Sequence, residues 1–238
     1  MKKTGYYILI FSVVIMSLCL FLIFYTAESS IITSNNFSVD KEITVIVDAG
    51  HGGIDGGAVA EDGTAEKDIN LPVALYLEAY LSAFGVKTKL TRNEDISIHS
   101  PHAKTVREIK VSDIHNRMKI IEDTDNCIFV SIHQNSYSNP KYSGAQVFYS
   151  PNTTASAEIA DCIQASVVST LQKDNGRLIK KSSKDIFLLY YSKKPAVLVE
   201  CGFITNKKEL ELLKNDEYQR KMAFSIALGI VNYINKGC

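Results

Sequence analysis

From Thr44 onward the apolar positions fall into two kinds of run. Short β-branched stretches at Thr44–Asp48, Lys87–Thr91, Ile128–Ile132, Ala145–Tyr149, Ile186–Tyr190 and Ala196–Val199 read as strands. Between them apolar residues recur at helical spacing. Asp68 can cap a helix running to about Phe84, with Leu71, Ala74, Leu75, Leu77 and Leu81 on its buried side and Pro72 within its first turn. Ser112 caps a helix to Glu122, after a polar loop over Glu94–Lys110. Thr153–Thr170 forms a long helix, Asn206 caps a short one to Leu213, and Tyr218, Met222, Ile226, Ile230 and Tyr233 trace the inner stripe of the last. Strands alternating with helices predict a single α/β domain over residues 43–238, a mostly parallel twisted sheet with helices on both faces.

The N-terminus breaks this pattern. Tyr6–Tyr25 is a run of twenty mostly apolar residues behind Lys2 and Lys3, long enough to cross a hydrocarbon core of about 30 Å. Residues 1–29 are therefore a signal peptide, with Ala27-Glu28-Ser29 as a cleavage site, or an uncleaved signal anchor, and residues 30–42 a polar linker. Either way residues 43–238 lie outside the membrane by the positive-inside rule. Without Lys2 and Lys3 the chain carries 24 basic against 26 acidic side chains, which argues against nucleic-acid binding. The exported part holds Cys127, Cys162, Cys201 and Cys238, without the spacing of a structural zinc site; the expectation is free, buried thiols.

In open α/β sheets, ligands bind beyond the carboxyl ends of the strands. His51 follows the first strand, His133 ends Ile128–Ile132 and Glu200 ends Ala196–Val199, so two imidazoles and a carboxylate can share one rim. That is a donor set suited to a hydrolytic zinc. The glycine-rich Gly50–Gly57 segment has Asp55 where a dinucleotide fingerprint needs its third glycine, and neither an HExxH nor a GxSxG motif occurs. His99 and His102 flank Ser100-Pro101 and read as loop histidines, and His115 as a surface residue. Asp48 and Asn135, within three residues of the two histidines, are candidates to orient a ligand or meet substrate. Arg92 and Arg117 read as salt-bridged structural residues.

Four blocks, Ile46–Gly53, Glu66–Leu71, Ser131–Asn135 and Pro195–Asn206, resemble the zinc-dependent N-acetylmuramoyl-L-alanine amidases, most closely the germination-specific, spore-cortex members of that family. The resemblance implies that His51, Glu66 and His133 ligate Zn²⁺ and that Glu200 is the catalytic carboxylate. The residue pattern alone offers Glu200 as a ligand and does not single out Glu66. It also implies a peptidoglycan substrate, cleaved between N-acetylmuramic acid and L-alanine ahead of muramic-δ-lactam formation. A peptidoglycan deacetylase in the same pathway, an accessory lipoprotein and a place in the forespore intermembrane space follow from the same likeness. A vegetative wall amidase or a silent wall-binding protein are the alternatives. Gln134 and Ser136 stand where the family usually has alanine.

Overall fold

The computed structural model describes residues 15–17 and 43–236; the expected signal segment and linker lie almost wholly outside them. Among the described residues no helix is long and apolar enough to cross a membrane. The elements are β1 (Thr44–Ala49), α1 (Glu66–Ala83), β2 (Lys87–Leu90), α2 (Val106–Glu122), β3 (Cys127–Asn135) and β4 (Gln146–Tyr149), followed by α3 (Thr154–Thr170), β5 (Lys180–Lys181), α4 (Phe187–Tyr191), β6 (Ala196–Phe203), α5 (Lys207–Leu213) and α6 (Asp216–Ile234).

Six strands pair in the order β2-β1-β3-β6-β4-β5. All neighbours are parallel except β4 and β6, so β4 and β5 run against the rest. Alternation along each strand builds two cores. Val45, Val47, Val130, Ile132, Val197 and Val199 meet α1, α3 and α6 on one face. Ile46, Phe129 and Leu198 meet Met118 and Ile121 of α2 and Leu188 and Leu189 of α4 on the other. Helices thus cover both faces, as the alternation predicted.

Several boundaries depart from the sequence pattern. Helix α1 begins at Glu66, with Ala65 at its N-cap, not at Asp68. Pro72 is therefore seven residues in, where it costs a backbone bond. Helix α2 begins at Val106 behind a Thr105–Glu108 capping box, inside the segment expected to be loop; Val106 and Val111 face solvent and blur its periodicity. Ile186–Tyr190, expected as a strand, falls in the short helix α4, whose Leu188 and Leu189 bury in one cluster with Phe129 and Leu198. Strands β3 and β6 continue through His133 and Glu200, so neither residue ends its strand. Cys127 and Cys201 are free and buried. Cys162 is disulfide-bonded, contrary to the free-thiol expectation.

Helices α3 and α6 cross at Gly229. A Cβ there would stand 2.5 Å from the Ile163 Cα and 2.8 Å from the Cys162 carbonyl oxygen, and backbone cannot yield as a side chain does. Gly229→Ala is expected to cost about 1–3 kcal/mol, read as a lower urea midpoint at unchanged m-value.

Candidate metal centre

Strand β1 delivers its last residues into a turn held by two arginines. Arg92 donates from Nε to the Ala49 carbonyl at 2.9 Å and from Nη2 to the Gly50 carbonyl at 3.0 Å. Arg117 donates to the Ala49 carbonyl at 2.9 Å and to the His51 carbonyl at 2.7 Å. Beneath the turn, Arg117 pairs with Asp48 and Asp113, and Asp48 also accepts from Thr91 at 2.7 Å and Ser131 at 2.5 Å. Asp48 was expected beside a histidine side chain or the substrate; it is instead the fully buried counterion of Arg117. Burial alone would raise its carboxyl, but Arg117 and the two hydroxyls hold it below the usual range. Arg117 is ion-paired as expected, whereas Arg92 works through carbonyls alone.

These donors fix His51 at φ +61°, a left-handed conformation that a side-chain-bearing residue adopts only when its surroundings impose it. The His51 ring then points to Glu66, the first residue of α1, and so does His133 from β3. Glu66 Oε1 lies 2.8 Å from His133 Nδ1 and Oε2 lies 3.3 Å from His51 Nε2. Backbone amides of Gln134, at 3.0 Å, and Ala58, at 2.9 Å, fix the two carboxylate oxygens. One ligand atom from each of the three residues lies within 4.8 Å of the others. Two glycines keep the space: a Cβ at Gly50 would collide with the His133 ring, and one at Gly57 would come within 2.5 Å of Glu66 Oε2.

The donor chemistry fits zinc. Two imidazole nitrogens and one carboxylate oxygen are the three-ligand set of a catalytic site that leaves a fourth position open. A further requirement, a partner on the far ring nitrogen, is met at His51: its Nδ1 lies 2.8 Å from Asp55 Oδ2. Asp55 is steadied in turn by Lys110 at 2.7 Å and the Gly57 amide at 3.3 Å. Burial alone would lower His51, but its hydrogen bonds to Asp55 and Glu66 raise it to about 9. The two histidines, outweighing burial, keep Glu66 far below the ordinary carboxylate range. Asp55 is absent from the sequence-based candidates, although a carboxylate four residues past a candidate ligand, in a turn of glycines, is a signal the sequence carries. Asp55→Asn should weaken zinc binding by about 10- to 100-fold, measured by competition with a chromogenic chelator.

Glu200 stands across from His133 in register, and Gln146 across from Glu200. Residues paired this way project from the same face of the sheet about 4.8 Å apart. Glu200 is not part of the three-residue group. Its Oε2 is buried without a hydrogen-bond partner, and burial, partly offset by His133, pushes its carboxyl up to about 7. Asn135 meets no histidine ring nitrogen; it pairs with Phe203 and lines a cleft together with Gln146, Arg177 and Lys180. Gln134 donates to Asn70 at 3.1 Å, one layer behind Glu66.

A family model for N-acetylmuramoyl-L-alanine amidases matches residues 45–232, which takes in every group just described. The chain belongs to the N-acetylmuramoyl-L-alanine amidase family. Among amidase relatives, the germination-specific N-acetylmuramoyl-L-alanine amidase of Bacillus subtilis is 34% identical over 192 residues, covering 81% of this chain and 80% of the relative. The amidase AmiA of Salmonella typhimurium is 28% identical over 256 residues, with 87% and 84% covered. Of solved amidase structures, the CwlD amidase from Clostridioides difficile, in complex with the GerS lipoprotein, superposes with a TM-score of 0.78 at 40% identity. It covers 82% of this chain and all of that one.

Proposed function

We propose that this amidase is zinc-dependent and hydrolyses the amide between N-acetylmuramic acid and the L-alanine of the stem peptide in spore-cortex peptidoglycan. The observation that carries the reading is the placement of an unpartnered buried carboxylate, Glu200, one strand from the His51–Glu66–His133 group. His51 through Nε2, His133 through Nδ1 and Glu66 would hold the ion. A zinc ion there would polarise the scissile carbonyl and acidify water toward a pKa of about 7.

The chain's own residues supply the rest. Asp55 keeps the His51 proton on Nδ1 and Nε2 free for the ion. Glu200 takes a proton from the attacking water and returns it to the alanine nitrogen as the C–N bond breaks. The products are a free lactyl carboxylate and a free amino terminus. Removal of the peptide exposes a muramic acid whose lactyl group closes to the δ-lactam once a deacetylase has freed the neighbouring amine.

The apolar run at residues 6–25 supports export, with the domain either tethered to the membrane or released and acting in the forespore intermembrane space. A disulfide at Cys162 suits an oxidising compartment. The GerS lipoprotein bound to the Clostridioides difficile relative supports an accessory lipoprotein for this chain as well. The test is muropeptide mass spectrometry of spores from a deletion strain. Loss of δ-lactam is the expected result. An unchanged cortex with an altered vegetative wall would move the enzyme to vegetative growth, and zinc-loaded protein that releases no L-alanine amino termini from peptidoglycan would refute the activity.

A further inference from the structure

The cleft lined by Asn135 and Gln146 has chemistry that the His51–Glu66–His133 group does not use. It has a volume of about 280 Å³ and is lined by Gln146 and Phe148 of β4, Arg177, Lys180 of β5, Phe203 of β6 and Tyr142, among others. Its two cations are laid over aromatic rings. The Arg177 guanidinium sits 5.0 Å from the Phe203 centroid and the Lys180 ammonium 5.6 Å from that of Phe148. Among the described residues neither has a carboxylate within ion-pair distance, in contrast to Lys67, Lys110, Arg117 and Arg220.

Arg177 donates from Nη2 to Gln146 Oε1, and its Nε is buried without a hydrogen-bond partner. A guanidinium fixed by stacking on one side and an amide on the other, which feels Glu200 and Glu209 only at longer range and has no carboxylate in contact, is prepared for an anion at little entropic cost. Surface cations kept for solubility do not need such a mount. The position in the sheet says which anion. His133, Glu200 and Gln146 are successive partners across three strands, spaced about 4.8 Å apart. Arg177 is held on the last of them. An extended peptide advances about 3.3–3.6 Å per residue. A chain whose amide lies between His133 and Glu200 therefore brings the residue one or two positions beyond that bond to the guanidinium.

We propose that Arg177, assisted by Lys180, forms a subsite that selects peptides carrying a free carboxylate one or two residues past the scissile amide. The inference rests on the amidase reading above and deepens it. It makes the enzyme a reader of the charge state of the peptide it removes, so that amidation of that carboxylate becomes a signal against cleavage. Arg177 positions the substrate and takes no part in the proton transfers assigned to Glu200.

The experiment uses the full-length, zinc-loaded protein and two synthetic muramyl peptides. They are identical except that the second residue carries a free α-carboxylate in one and its amide in the other. The parent enzyme is expected to favour the acid by about 10- to 100-fold in kcat/KM, the range of a charge-assisted hydrogen bond. Added salt should narrow that preference. Arg177→Gln should bring the ratio close to one, mainly by raising KM for the acid, while Arg177→Lys keeps part of it and Lys180→Gln lowers it less. A ratio near one in the parent enzyme, or one unchanged in Arg177→Gln, overturns the subsite and leaves the amidase reading standing. Cleavage of neither peptide overturns both. The parent ratio and its salt dependence decide the matter even if an Arg177 variant fails to fold.

Discussion

Glu200→Gln, assayed with zinc restored, should turn over muramyl peptides about 10²–10⁴-fold more slowly and hold as much zinc as the parent chain. The substitution keeps size and shape and removes only the ability to accept and return a proton. Because the donor group is His51, Glu66 and His133, zinc content by atomic absorption is not expected to move. The same variant has a second signature, in stability. Burial raises the Glu200 carboxyl from 4.5 to about 7, so the fold favours its protonated form. Its contribution to stability is therefore full below about pH 4.5 and is lost as the pH rises through about 7. In chelated protein, Glu200→Gln should melt higher than the parent at pH 8 and gain much less at pH 5. Opposite movements of activity and stability are the mark of a carboxylate kept for chemistry. Near-normal turnover would remove Glu200 from the reaction.

Arg117→Ala should be the most damaging change remote from the reacting atoms. Arg117 and Asp48 are 4% and 1% exposed at their side chains, and removing one member of a buried pair strands the other, at about 3–5 kcal/mol. For a domain of this size that corresponds to a fall of roughly 10 °C in Tm. The change also leaves the His51 carbonyl without its donor, and with it the brace on a left-handed backbone. Zinc affinity should therefore fall together with stability. The double variant Asp48→Leu/Arg117→Met separates the two effects: an apolar pair restores much of the stability and cannot restore the donors to Ala49 and His51. Thermal melts and chelator competition on the same preparations check this. Recovery of zinc affinity in the double variant would deny the brace.

The sheet was legible because buried parallel strands are continuous β-branched runs, as at Thr44–Asp48 and Ile128–Ile132. The pattern failed where chemistry or context replaced it. Strands β3 and β6 extend through Gln134 and Glu200, polar residues whose strand conformation is set by their neighbours, so the apolar runs ended early. The two-residue β5 is Lys180-Lys181 and carries no apolar signal. Ile186–Tyr190 has strand-like composition, but its conformation is decided by the core beneath it. At the site, His51, His133 and Glu200 could be found because each lies close to the carboxyl end of a strand. Glu66, at the start of a helix, emerged only from resemblance to the amidases. Asp48 was the candidate to orient a ligand, yet Asp55 holds the His51 ring and Asp48 pairs with Arg117: both are near His51 in sequence, and only the turn geometry shows which one faces its ring. Arg177 had no marker at all, since a stacked cation in a loop looks like any other in sequence.

The reversal of β4 and β5 divides the work of the molecule between two stretches of chain. Residues 51–133 supply every candidate ligand, while the cleft proposed to receive the peptide is built from residues 135–203, with Gln146, Phe148 and Lys180 on the two strands that run against the others. Insertions between His133 and β4, or between α3 and β5, can therefore reshape what the enzyme accepts without disturbing how it holds its ion. For protein engineering, this makes substrate choice and metal loading separable variables, adjustable in different parts of the gene.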